Sequence, residues 1–169
     1  EIGFDHGFRL FDMAQRNPDW RFVGLEVRLK RVREFQQRVS DAGLDNVFAW
    51  RMDARTVFGC VLPTESLDCV HIMYPTPWWD PKKRQKRLLI SAEFLMAVRD
   101  TLRIGGLIRI ETDVSDYASI IEAEMRDVAG LAMLDESVTR LQEPACGVVS
   151  RRQRKTAREN LSIYRFLLQ

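Results

Sequence analysis

Histidine is almost missing from this chain of 169 residues; only His6 and His71 occur. That excludes a metal centre built on the commonest transition-metal side chain. The three cysteines, Cys60, Cys69 and Cys146, are scattered without the paired spacing of a zinc site. An odd number of them in a core-forming chain points to reduced thiols and a cytoplasmic setting. No apolar run approaches the roughly 20 residues a membrane span needs. There is no internal repeat and no low-complexity linker. Net charge is only +2, from 26 basic and 24 acidic residues, so bulk charge announces no nucleic-acid partner. No signal peptide is visible. Because Glu1 already lies in what reads as a strand, the natural N-terminus is expected to be missing. What remains is the length and composition of a single domain, residues 1–169, with a real core.

The stretch around which the chain is organised is LDCVHIMYPTPWWDPKKRQKR, residues 67–87. Residues 69–74 form a continuous apolar run that reads as a buried strand. Pro75 and Pro77 end it, fix the local backbone and remove two donors. Trp78 and Trp79 follow, then Lys82, Lys83, Arg84, Lys86 and Arg87. In an open α/β sheet, ligands bind beyond the carboxyl ends of the strands. Two indoles and five cations therefore fall where such a fold binds. The indoles can stack on a base, worth about 1–3 kcal/mol each, or pack beneath the loop as an apolar lid. A second basic cluster spans residues 151–158. If the two met in space they would form a phosphate-binding surface; otherwise they are separate solvated faces.

Along the chain, apolar spacing predicts strands at residues 1–4, 20–27, 47–52, 69–74, 107–110, 131–134 and 161–168. Helices are predicted at 8–16, 29–42, 88–102 and 115–128, with a short one at 56–61 and Ser115 as an N-cap. Gly105 and Gly106 are expected to break the helix before the fifth strand. Residues 139–160 are polar, basic and aperiodic, and read as a long loop. Strands alternating with helices give a mostly parallel sheet with helices on both faces. The last two strands lack a helical crossover and so pair antiparallel at one edge.

Three features carry chemistry. Gly3 and Gly7 flank a turn between the first strand and first helix, which lets a ligand approach the backbone. Glu26 ends the second strand, where an acid accepts hydrogen bonds from ribose hydroxyls. Asp53 ends the third, where an acid can hold an adenine amino group. Helix-capping roles for Glu26 and Asp53 are the alternative. The acid-x-Gly-x-x-x-Gly spacing resembles the acid-x-Gly-x-Gly-x-Gly turn of class I S-adenosylmethionine-dependent methyltransferases, with Asp5 in place of the middle glycine. Asp5 would then either pair with the cofactor's amino group or crowd it. His6 reads as a surface polar residue and His71 as a satisfied core histidine.

EIGFDHG, FVGLEV, MDA, PTPW with PKKRQKR, ETDVSDYA and TARE occur in one order. Together they resemble the bacterial tRNA (guanine-N7)-methyltransferase family over essentially the whole chain. The resemblance implies a Rossmann-like class I methyltransferase fold: a seven-stranded, mostly parallel sheet with an antiparallel final strand and helices on both faces. It implies S-adenosylmethionine as cofactor, no metal, and tRNA as partner of a cytoplasmic monomer or homodimer. Glu1, Gly3, Asp5, Gly7, Glu26, Asp53 and the adjoining Ala54 would line the cofactor site. Lys82, Lys83 and Arg84 would approach RNA, Asp113 would face the substrate, and Thr156 and Glu159 would contact the target guanosine. Tyr117 matches the family's pattern, though a helix aromatic facing the sheet explains it equally. Thr76 stands where the family carries an active-centre aspartate, and Asp80 is the candidate replacement. The alternatives are a diverged methyltransferase acting on another nucleic acid or small molecule, and a non-catalytic RNA-binding homologue.

Overall fold

The computed structural model describes residues 1–77, 88–140 and 150–169. These residues form two compact units, Glu1–Ala54 with Arg140–Leu161, and Arg55–Thr139 with Ser162–Gln169.

In the first unit, helix α1 (Phe8–Arg16), strand β1 (Phe22–Leu25), helix α2 (Leu29–Asp41) and strand β2 (Val47–Trp50) follow in order. β1 and β2 pair in parallel, Phe22 beside Val47 through Leu25 beside Trp50. Leu10, Ala14, Val32, Phe35, Val47 and Ala49 bury together with Phe4 between the helices and this ribbon. Buried Asn46 ties the layers by sharing its amide protons among the carbonyls of Ala14, Asn17 and Trp20 at 3.0–3.1 Å. Gly7 sits at φ 67°, and a Cβ there would collide with the Phe35 ring. Both facts select glycine.

Among the described residues there are six strands, not the expected seven. Residues 1–4 make only the isolated bridge of Ile2 to Leu25. Gly3, at φ 70°, turns the chain out of the extended conformation before a ladder can grow. The expected loop at 139–160 is also corrected: α6 (Arg151–Arg158) is a helix within it. Ser150 accepts from the Gln153 amide while the Gln153 side chain accepts from Ser150 N–H, a reciprocal capping box. The side chains this helix buries are polar, Gln153 and Thr156, so hydrophobic periodicity had nothing to register.

In the second unit, helix α3 (Ala54–Thr56) runs on into one wide π-type turn, Val57–Val61. Strand β3 (Leu67–Met73), helix α4 (Ala92–Thr101), strand β4 (Leu102–Thr112), helix α5 (Ser115–Arg126), strand β5 (Met133–Arg140) and strand β6 (Ser162–Leu168) complete it. Their sheet order is β3-β4-β6-β5. β3 and β4 are parallel, whereas β6 runs antiparallel to β4. Ala132 and Gln169 exchange both backbone hydrogen bonds, which is antiparallel pairing at the start of β5.

Helix α4 is shorter than periodicity indicates. It starts after Ser91, whose hydroxyl caps Phe94 N–H, and ends where Leu102 enters β4. Gly105 and Gly106 lie inside β4, where the register advances from Leu102 to Leu107 opposite the step from Leu67 to Cys69. Val114, not Ser115, is the N-cap of α5. Tyr117 faces inward and is fully buried. No helix among the described residues is long and apolar enough to cross a membrane.

Candidate active site

The first unit gathers the proposed cofactor residues on the turn before α1 and on the tips of β1 and β2. Backbone bonds hold that turn against β1: Leu25 N–H donates to Glu1 O at 2.9 Å and Gly3 N–H to Leu25 O at 2.8 Å. The Glu1 carboxylate accepts from Arg9 Nη1 at 3.0 Å, and both side chains are nearly buried. Glu1 thus fixes the turn to α1. At Gly3, the position a Cβ would take has nothing within 4 Å. The backbone is therefore open to a ligand there.

Glu26, just beyond β1, is 5% exposed. Two backbone donors orient its carboxylate: Asp5 N–H onto Oε2 at 3.1 Å and Arg28 N–H onto Oε1 at 3.0 Å. The Arg28 guanidinium adds Nε to Oε1 at 3.3 Å and Nη2 to Oε2 at 3.4 Å. Its own charge is favoured first by that bond to Glu26 and then by the charges of Glu26 and Asp5, which raise its pKa.

Asp5 occupies φ 50°, the left-handed region, which explains a glycine preference at its position and which aspartate tolerates better than most residues. Its carboxylate does not project freely: Arg28 Nη2 lies at 2.6 Å and Arg31 Nε at 3.2 Å. His6 is half-buried and not a free surface group; Arg31 and Arg151 approach its two ring nitrogens at 3.2 and 2.9 Å. Asp53 is exposed past β2, and Ala54 beside it is buried. Val27, 59% exposed next to Glu26, offers an apolar flank that sequence reasoning passed over.

The second unit carries the proposed substrate residues. Thr76 is exposed on the stretch leaving β3, and Asp113 is half-buried just past β4. Two residues before Thr76 is Tyr74, at φ 53° immediately before Pro75, a backbone state that a bulky residue before proline avoids. Glu111 holds it there. Tyr74 N–H donates to Glu111 O at 2.7 Å, and the phenol donates to Glu111 Oε2 at 3.3 Å. Burial, then the nearby charges of Glu111 and Asp113, push the Tyr74 pKa far upward, so its hydroxyl stays a donor. Glu111 is itself fully buried. Its Oε1 accepts Arg109 Nη2 at 2.6 Å, Arg109 Nε at 3.0 Å and Arg165 Nε at 3.3 Å. Arg165 is the cross-strand partner of Glu111 on β6. Strained backbone of this kind persists where surroundings over-determine it, and functional loops are where it gathers.

His71 is half-buried on β3, with its Nε2 3.4 Å from Cys69 Sγ. In the first unit Thr156 is fully buried and donates to Arg152 O at 2.9 Å, while Glu159 closes α6 and pairs with Lys155 at 3.6 Å. Trp78, Trp79, Asp80, Lys82, Lys83, Arg84, Lys86, Arg87 and Cys146 lie outside the described residues. Among the described residues, no group of three or more histidine, cysteine and acidic side chains could hold a metal.

Arg28, Glu111 and Arg165 were not foreseen as site residues. An acid-x-Arg step after β1, and a charge pair two apart within the apolar β4 run, were the available signals.

The fold defines the class. A solved S-adenosylmethionine-dependent methyltransferase from Aquifex aeolicus superposes with TM-score 0.66 over 99% of this chain and 78% of that one, at 12% identity. A precorrin-6y C5,15-methyltransferase from Geobacter metallireducens gives TM-score 0.66 over 99% and 76%, at 14% identity. Both share the Rossmann-like class I methyltransferase fold. A family model described as putative methyltransferase matches residues 1–166, and the chain belongs to that family. It is similar to the tRNA (guanine-N(7)-)-methyltransferase of Marinobacter nauticus, 39% identical over 136 residues, which is 80% of this chain and 57% of that protein. The corresponding protein of Nitrosococcus oceani is 35% identical over 156 residues, 92% of this chain and 65% of that one. The chain thus spans about three-fifths of the length of the curated relatives it matches.

Proposed function

We propose that the chain is an S-adenosylmethionine-dependent methyltransferase of tRNA, transferring a methyl group to N7 of a guanosine. The observation that carries the reading is the built acceptor at Glu26: a buried carboxylate aimed by two backbone N–H groups, beside the open backbone at Gly3. The names of the relatives supply the acceptor.

In this reading Glu26 accepts the ribose hydroxyls, Asp53 the adenine amino group, and Val27 flanks the adenine. Glu1 keeps the glycine turn docked through Arg9, so Gly3 and Gly7 hold the cradle open. Held by these residues, S-adenosylmethionine would supply an electrophilic sulfonium methyl, and its transfer to the N7 lone pair would leave the thioether as the carbon–sulfur bond broke. N7 carries no proton, so no general base is required, and rate rests on alignment and exclusion of water. Asp113 accepts from the N–H edge of guanine and offsets the positive charge it gains. Thr76 replaces the family's aspartate there, and one charged hydrogen bond is worth roughly 1.5–3 kcal/mol. Asp80 is the nearby carboxylate that can restore it. Glu159 approaches the target base from α6, with Thr156 fixing that helix from behind. The bases of α6 and of residues 82–87, Lys82, Lys83 and Arg84 among them, hold tRNA phosphates and position without reading sequence. Such an enzyme works in the cytoplasm, as a single methyltransferase domain and as monomer or homodimer.

Thr76 favours a second reading, a methyltransferase of the same fold whose acceptor has changed. Incubation with unmodified tRNA and S-adenosylmethionine, followed by nucleoside mass analysis, separates them. N7-methylguanosine is the expected product. Cofactor binding with no methylated guanosine would move the acceptor elsewhere, and no binding of S-adenosylmethionine would leave a binding homologue.

A further inference from the structure

The Arg28 guanidinium lies on Glu26 as a two-pronged donor: Nε reaches Oε1 and Nη2 reaches Oε2, at 3.3 and 3.4 Å. A vicinal diol presents the same pattern, two adjacent donors to two carboxylate oxygens. The backbone N–H groups of Asp5 and Arg28 already take the other positions on that carboxylate. Arg28 therefore sits where the hydroxyls of a nucleoside ribose would bind. It is also removable: the side chain is 56% exposed, and its contact to Asp5 Oδ1, at 2.6 Å, is much shorter than either prong on Glu26. Asp5 is 41% exposed, and Arg31 Nε reaches the same Oδ1 at 3.2 Å.

We infer that Arg28 is a positioning residue of the ribose site, covering Glu26 until a nucleoside diol displaces it and then resting on Asp5. This builds on the cofactor reading above and gives the aspartate at a glycine position a task. Asp5 is the parking place that lets Arg28 release Glu26 at little cost. Without that charge, Arg28 would keep its claim on Glu26 and compete with the incoming ribose.

Calorimetric titration of S-adenosylmethionine into the unaltered chain, Asp5→Asn, Arg28→Ala and the double variant tests this. Asparagine tolerates the left-handed backbone, so Asp5→Asn removes charge without adding strain. Asp5→Asn should weaken binding about fivefold, the upper range for a half-exposed ion pair. Arg28→Ala should bind more tightly than the unaltered chain, and the double variant should match Arg28→Ala. Thermal melting of each variant checks that the fold is kept. Unchanged affinity in Asp5→Asn, or a fivefold loss that persists when Arg28 is absent, overturns the inference while leaving the cofactor reading intact. Failure of the unaltered chain to bind S-adenosylmethionine would overturn both.

Discussion

Glu26 in the first unit and Glu111 in the second are both buried carboxylates near strand tips, 5% and 0% exposed. They differ in what holds them. Backbone N–H groups orient Glu26, and among the described residues the side chain that pairs with it is a half-exposed arginine. Glu111 is gripped by side chains from three strands or their ends, Arg109, Arg165 and Tyr74, and two of those are cations with little exposure. A carboxylate aimed by backbone and capped by a mobile group is ready for a ligand. One that neutralises two guanidiniums and props a strained tyrosine is a joint. Burial alone does not separate the two; the identity of the donors does.

The sharpest way to break that contrast is to remove the joint. Glu111→Ala takes from Arg109 and Arg165 the buried carboxylate they share, and from Tyr74 the acceptor of its phenol. Loss of one partner from a buried ion pair costs about 3–5 kcal/mol. Urea denaturation should show a loss of that size, with S-adenosylmethionine affinity of the folded fraction unchanged. A Glu111→Ala chain that kept its stability but lost cofactor would mean that the second carboxylate also belongs to the ligand.

The converse substitution is Glu26→Gln. Two charged hydrogen bonds to ribose are each worth roughly 1.5–3 kcal/mol, so affinity should fall about 100-fold or more by calorimetry. Stability should fall by about 1–3 kcal/mol, because the amide oxygen serves one backbone N–H while its NH2 faces the other. Full binding by Glu26→Gln would reduce it to a structural residue like Glu111.

The contrast also explains what the sequence could reveal. Glu26 and Asp53 stood out as candidates because each follows an apolar run, and strand tips are where an α/β sheet binds; Asp113 came from the family resemblance alone. The antiparallel end was expected because no apolar helical stripe stands between the last two strands, although the polar helix α6 does lie there. Glu111 was hidden because it is buried inside such a run, and its partner Arg165 is 54 residues away. Arg28 was hidden because its contacts join Glu26 to Asp5, which lies 23 residues before it. Helix α6 escaped because capping, not an apolar stripe, defines it. Local pattern gives elements and their tips; pairings across distant segments need the fold.

The smallest expected effect concerns Tyr117, on the helix after Asp113. Burial pushes its phenol up to about 12 from an ordinary 10.0. Between those values the unfolded chain has released the proton and the folded chain keeps it. The folded state then binds more protons, so stability falls as pH rises. Below pH 10 the group contributes no slope. Tyr117→Phe should therefore flatten, without abolishing, the alkaline decline, because Tyr74 is shifted the same way and still contributes. Urea midpoints measured from pH 9 to 11.5 would read the difference. An unchanged slope would mean that the Tyr117 phenol titrates as it does in the unfolded chain, leaving the carboxylate-flanked Tyr74 as the source of the decline.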